Sequence, residues 1–221
     1  MTHPVKPFTA TMMATRTAII LFLFTIGFTA VLAGVYLLTK PAIDASAVLK
    51  KMNTIGEVLP PGSYDNDLLN DTLTLPPTPA LGLDESSTVY RARQGGRPAA
   101  LVIEAVANDG YSGKIRLLVG ARADGTLSGV RVTEHKETPG LGDYIDPAKD
   151  KNKAHPWIAQ FDGKSLAKLA ARDWKVKKDG GQFDSVAGAT ISPRAVIKAV
   201  HKALEYVDQH RDELYAKRGQ P

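Results

Sequence analysis

Thr190 stands between Gly188-Ala189 and Ser192-Pro193 in the stretch DSVAGATISPRAV, residues 184–196. Ser192 followed by Pro193 is a helix-start signal, serine at the cap and proline in the first turn. A helix beginning there presents unsatisfied N–H groups and the positive end of its dipole. Gly188 and Ala189 carry little bulk, so their amides can face outward, and such a place suits a phosphate. A phosphate bonded to the Thr190 hydroxyl would hold a cofactor covalently. The same residues also describe a plainly capped helix with small residues packed under a sheet. Spacing alone leaves both readings open.

A second stretch, Glu134 to Ile145 (EHKETPGLGDYI), follows a strand and carries Pro139, Gly140 and Gly142. Glycines there permit close backbone approach to a flat ligand or to another segment; a plain surface loop is the other reading. Elsewhere the chemistry is sparse. The five histidines, His3, His135, His155, His201 and His210, show no metal-ligand spacing, and His201 and His210 are expected to face solvent. No nucleophile elbow, GxGxxG or P-loop is present. The chain has no cysteine, which excludes disulfides, thiolate nucleophiles, cysteine-ligated clusters and thioether-linked haem. Its net charge of +5 is scattered. The densest basic run, RDWKVKK at 172–178, reads as a solvated edge strand, so nucleic acid is not an expected partner.

The elements that must position these residues follow from period and punctuation. STVYRAR and PAALVIEAVA are strand-like and separated by QGGR, a hairpin signal. KIRLLVGAR and LSGVRVTEH form a second hairpin around Asp124-Gly125. Residues 165–172 are expected to form a short helix, WKVKK an edge strand, and Gly180-Gly181 a turn. From Ser192 to about residue 215, Ala195, Val196, Ala199, Val200, Ala203, Leu204 and Val207 repeat on one helical face. The expected fold is α+β: an antiparallel sheet with packed helices over residues 87–217.

From Thr17 to Thr39 no residue is charged, and Arg16 and Lys40 flank the run. As a helix it spans about 34 Å, enough for a bilayer core of roughly 30 Å. An uncleaved anchor is the expectation; Val31-Leu32-Ala33 would pass as a cleavage site in the competing signal-peptide reading. Positive charge nearly balances across the span and leaves its orientation open. Gly27, Ala30 and Gly34 share a face that would admit another helix closely. Residues 42–59 read as an amphipathic continuation burying Ile43, Val48, Met52, Ile55 and Val58, stopped by Pro60-Pro61-Gly62. Residues 63–86 read as loop, LPPTPALGL being too proline-rich for regular structure. The division is therefore a tail (1–16), a span (17–39), a juxtamembrane helix and loop (40–86) and a domain (87–217).

GYSGKIRLLVG (110–120), GVRVTEHKETPGLGDYI (129–145) and DSVAGATISPRAV (184–196) resemble the G subunit of the bacterial Rnf complex, also called Rsx. LPPGSYDNDLLND (59–71) resembles the family's segment after its first helix. That complex is an ion-translocating ferredoxin:NAD oxidoreductase. The resemblance implies FMN joined by a phosphoester to the last threonine of an Asp-x-x-Ser/Thr-Gly-Ala-Thr motif, installed by a periplasmic flavin transferase. Carried onto this chain, the acceptor is Thr190, with Asp184, Gly188 and Ala189 as motif partners. Glu137, Thr138, Pro139, Gly140, Leu141 and Gly142 form the loop expected beside the flavin. The resemblance also implies an inner-membrane protein, N-terminus cytoplasmic and domain periplasmic, assembled with the other Rnf subunits. Ala187 departs from the motif's Ser/Thr and loses one hydroxyl contact, about 0.5–1.5 kcal/mol. Attachment is expected to survive, since the acceptor itself is Thr190. Two alternatives accompany this reading. One is the C subunit of the sodium-translocating NADH:quinone oxidoreductase, which shares the flavin domain; the DNDLLND segment and the compact length favour the Rnf subunit. The other is a flavin-free membrane-tethered scaffold whose motif decayed at Ala187.

Overall fold

The computed structural model describes residues 10–216. The first nine residues of the tail, with His3 and Lys6, and residue 217 at the end of the expected domain lie outside the described residues. One helix, α1 (Ala10–Val58), runs through the apolar stretch and past it. The chain divides into two compact units, up to Lys51 and from Met52 onward.

In the first unit the helix carries an apolar window of mean hydropathy 2.5 with none of it buried, long and apolar enough to cross a membrane. Thr15, Thr17, Thr25 and Thr39 bond their hydroxyls back to the helix itself. Thr25 Oγ1 donates to Leu21 O and Thr39 Oγ1 to Val35 O, each at 2.8 Å. A hydroxyl bonded back to the preceding turn leaves no unpaired donor on an apolar surface. Of the stripe expected in 42–59, Ile43 and Val48 are exposed and Met52 is half-buried.

The second unit is built on a five-stranded antiparallel meander: β1 (Thr72–Leu75), β2 (Ser87–Gln94), β3 (Arg97–Gly110), β4 (Gly113–Arg122) and β5 (Leu127–Glu134), in sequence order across the sheet. Both expected hairpins form. Gly95 and Gly96 have φ of 56° and 75°, the doubly positive pair that a two-residue turn of matching twist requires. The Asp124 carboxylate accepts from the Thr126 N–H (2.9 Å) and hydroxyl (2.6 Å), closing the second turn.

Helices cover the sheet on both faces. Helix α2 (Ile191–Gln209) lays all seven expected apolar residues against Leu101, Ile103, Leu117 and Val119. On the other face Ile55, Val58, Leu59 and Leu68 pack against Tyr90, Ala92, Ala100, Val102 and Leu118. The end of α1 fits because β5 offers glycine there: a Cβ on Gly129 would lie 2.9 Å from Val58 Cα. Ser128 Oγ donates to Val58 O at 2.6 Å, satisfying a carbonyl of the last helical turn.

Several expected elements differ. Residues 63–86 are not all loop: β1 pairs with β2 and buries Leu75, and Pro79–Leu81 is a 3-10 turn. Residues 165–172 form no helix; two amides close on Ser165 O and a 3-10 turn follows at Ala171–Asp173. In WKVKK only Val176 makes a bridge, to Phe183, and Lys177–Asp179 is a 3-10 turn. Its apolar alternation reflects the burial of Trp174 and Val176, not a ladder. The last helix breaks at His210 and resumes as α3 (Arg211–Tyr215). Neither helical histidine simply faces solvent: His201 lies against Trp174 (5.1 Å between ring centroids) and His210 stacks on Tyr206 (4.1 Å).

Candidate cofactor site

Helix α2 begins earlier than its sequence signal. Thr190 is the N-cap, Ser192 is inside the first turn and Pro193 is the third helical residue. Ser192 is buried and its hydroxyl donates to Glu137 Oε2 at 2.7 Å, so it serves a tertiary contact in place of a cap. An N-cap oxygen ordinarily accepts from the second or third helical N–H. Pro193 has none, and Thr190 makes no side-chain cap bond. Its Oγ1 instead accepts from Arg194 Nη1 at 3.2 Å. Arg194 is gripped from its other side by Asp179, at 2.6 Å through Nε and 2.8 Å through Nη2. That bidentate hydrogen bonding holds the Asp179 carboxyl below its usual range.

The segment leading to Thr190 has no strand partner and is held by side chains. Val186 O accepts from Ala189 N (3.1 Å), closing a turn in which Gly188 has φ +82°. No atom lies within 4 Å of a Cβ built on Gly188, so its left-handed backbone, not crowding, calls for glycine. The Ala189 amide is thus used inside the turn and does not face outward as expected. The Tyr144 phenol donates to Ala189 O (3.0 Å) and accepts from Val186 N (3.1 Å). Upstream, Trp157 Nε1 donates to Asp184 O (2.6 Å) and Asp184 N to Gln160 Oε1 (2.7 Å). Burial pushes the Tyr144 phenol pKa up, the Val186 N–H opposes this, and the Asp150 charge adds to it.

Glu137 joins three segments. The residue is 4% exposed, and its carboxylate accepts from Ser112 N (3.2 Å) on the β3–β4 turn and from Ser192 on α2. Gly142 lets the loop fold onto this pair: a Cβ there would lie 2.7 Å from Ser192 Oγ and 2.8 Å from Glu137 Oε2. Pro139 and Gly140 are exposed at the loop tip, where Gly140 N donates to Asp143 Oδ1 at 2.9 Å.

Between these segments lies a cavity of about 360 Å³, within the size range of small-molecule sites. Tyr111, Glu137, Thr138, Leu141, Gly142, Lys178 and residues 188–192 line it. The structure therefore brings together Glu137, Thr138, Leu141, Gly142, Gly188, Ala189 and Thr190. It does not bring Pro139, Gly140 or Asp184 to the wall. Asp184 pairs with Lys177 at 2.6 Å and lines a separate cavity with Trp157 and Gln160. Ala187 is exposed and also off the wall, so the hydroxyl its motif position lacks would not have lined this cavity.

Sequence reasoning missed Tyr111, Tyr144, Lys178, Ser192's tertiary role and Arg194. Arg194 alone had a readable signal, four residues from Thr190 on one helix face. The donor set fits FMN. Thr190 offers a hydroxyl, Lys178 on the wall offers a cation for a phosphate, Arg194, paired with Asp179 and off the wall, reaches the Thr190 oxygen, and Tyr111 (67%), Leu141 (52%) and Ile191 (44%) are exposed for a flat aromatic ring.

The FMN-binding domain family matches residues 110–205, and the RnfG N-terminal region family matches residues 10–58. The G subunit of the ion-translocating oxidoreductase complex of Pseudomonas aeruginosa is 48% identical over 201 residues, 91% of this chain and 92% of the relative. Its counterparts in Vibrio cholerae and Pseudoalteromonas atlantica are 41% and 40% identical, each covering at least 90% of this chain. A cavity with a threonine oxygen at its wall lies inside the first match, the apolar helix fills the second, and both agree with relatives similar almost end to end: the chain belongs to the RnfG family, the G subunits of ion-translocating oxidoreductase (Rnf) complexes.

Proposed function

We propose that this chain is the flavin-carrying electron-transfer subunit of an Rnf complex, with FMN joined through its phosphate to Thr190. The observation that carries the reading is the Thr190 hydroxyl: it caps nothing, lies at the wall of the 360 Å³ cavity and is met by a fixed guanidinium. When bound, FMN supplies one- and two-electron redox chemistry.

The protein's share is placement. Thr190 provides the ester oxygen, and Arg194 and Lys178 offset the negative charge of the phosphodiester. Tyr111, Leu141 and Ile191 offer apolar cover that keeps water from the ring. Glu137 keeps the β3–β4 turn, the 137–142 loop and the start of α2 at fixed spacing. The site needs no proton-transferring side chain, because an electron relay depends on distance and orientation.

The other Rnf subunits are the partners in this assignment, with the relay lying between NADH and ferredoxin. A periplasmic flavin transferase installs the group. The span at 17–39 anchors the chain in the bacterial inner membrane, with tail 1–16 in the cytoplasm, and 40–86 links it to the periplasmic domain at 87–217. The match to the RnfG N-terminal region favours this assignment over the C subunit of the sodium-translocating enzyme.

Intact-mass analysis of the chain purified from its own host tests the reading. The expected product carries one FMN less one water, and Thr190→Ala abolishes the addition. An unmodified wild-type chain, or an addition that survives in Thr190→Ala, overturns it.

A further inference from the structure

We propose that Tyr144 is a positioning residue for modification at Thr190, its phenol fixing the turn from which the acceptor oxygen emerges. The inference rests on the assignment of Thr190 as the flavin acceptor. Tyr144 comes from the 3-10 turn Gly142–Ile145, is 8% exposed, and stands edge-on to Trp157 at 5.8 Å. Its single oxygen brackets the Val186–Ala189 turn, accepting from the first residue's N–H and donating to the last residue's C=O. Ala189 precedes Thr190 directly, so the bond to its carbonyl orients the peptide plane that begins the acceptor residue.

That turn needs an external hold. Gly188 is the residue type with the most conformational freedom to lose on ordering, and Ala187 and Val186 are exposed. Trp157 and Gln160 hold the segment at Asp184, upstream of the turn. Among the described residues, Tyr144 is the only side chain bonded within it. Burial keeps the phenol protonated, as donation to Ala189 O requires.

The step so positioned is a phosphoryl transfer. Thr190 Oγ forms a bond to the flavin phosphorus of a flavin phosphoanhydride, and the anhydride P–O bond breaks. The leaving phosphate takes the bonding pair, and the hydroxyl proton passes to solvent. A wandering acceptor meets the phosphorus less often in line, which lowers turnover without changing how the chain is bound.

The test uses the full chain in detergent micelles with flavin transferase and its phosphoanhydride donor, followed by intact mass over time. Tyr144→Phe keeps the buried ring and removes only the oxygen. We expect about ten-fold slower transfer, all of it in kcat, with KM for the chain unchanged. Amide exchange should quicken at Val186 and Ala189 and stay unchanged in the buried turns of α2. Loading of Tyr144→Phe at the wild-type rate overturns the proposal, as does a loss confined to KM. A wild-type chain that accepts no flavin overturns the Thr190 assignment itself, a different and recognisable result.

Discussion

Pro193 removes one of the two N–H groups to which an N-cap oxygen at Thr190 would be committed. Most N-cap threonines commit their oxygen to an N–H two or three residues on; here the third donor is missing and the oxygen meets Arg194. Tyr215 shows the opposite arrangement. Its hydroxyl is buried without a hydrogen-bond partner among the described residues, and burial raises its pKa to about 12. Between the unfolded value near 10 and about 12 the folded state binds more protons than the unfolded state, so stability falls as pH rises through that window. Tyr215→Phe should therefore match or exceed the wild type by about 1 kcal/mol at neutral pH and flatten the alkaline decline, read by denaturant melts at pH 8 to 11. At this scale the sequence was partly legible. Thr190 and its glycine were readable as a pattern and Glu137 through the family resemblance, whereas Tyr144 and Ser192 act through partners 45 and 55 residues away. No local spacing encodes such a pairing.

Elements were legible where their signals are local. The Gly95-Gly96 and Asp124-Gly125 turns fixed both hairpins, and the seven-residue apolar stripe of α2 gave its buried face. The four residues of β1 are too few to show a period, and prolines follow directly, so its pairing with β2 was invisible. The 3-10 turns were hidden for a related reason: single turns without caps leave no repeat to detect. One consequence of β1 lies at its start. Asp71 sits between Arg91 (2.7 Å) and Arg93 (2.6 Å), both buried in β2. The same guanidiniums reach the chain's other end: Arg91 donates to Ala216 O, and Arg93 to Tyr215 O at 3.1 Å. Asp71→Asn leaves two buried cations without a counter-charge. It should cost about 3 kcal/mol and loosen α3 first, seen as a lower melting temperature and faster amide exchange at 211–216.

On the scale of the molecule, the sheet has an apolar cluster on each face, and the second draws on residues that precede the sheet. Ile55, Val58 and Leu59 are each no more than 1% exposed. A fragment beginning at Met52 should melt cooperatively. One beginning at residue 60 forgoes about 5 kcal/mol of burial, comparable to a whole domain's stability, and should aggregate. The cavity beside Thr190 is just as dispersed: its wall comes from residue 111, the 137–142 loop, residue 178 and the start of α2. A growing polypeptide owns no such receptacle until the start of α2 has closed on the 137–142 loop. Under the attachment to Thr190 proposed above, yellow colour in a cell would be a census of finished molecules, counting only those that had completed their tertiary structure before the flavin was added.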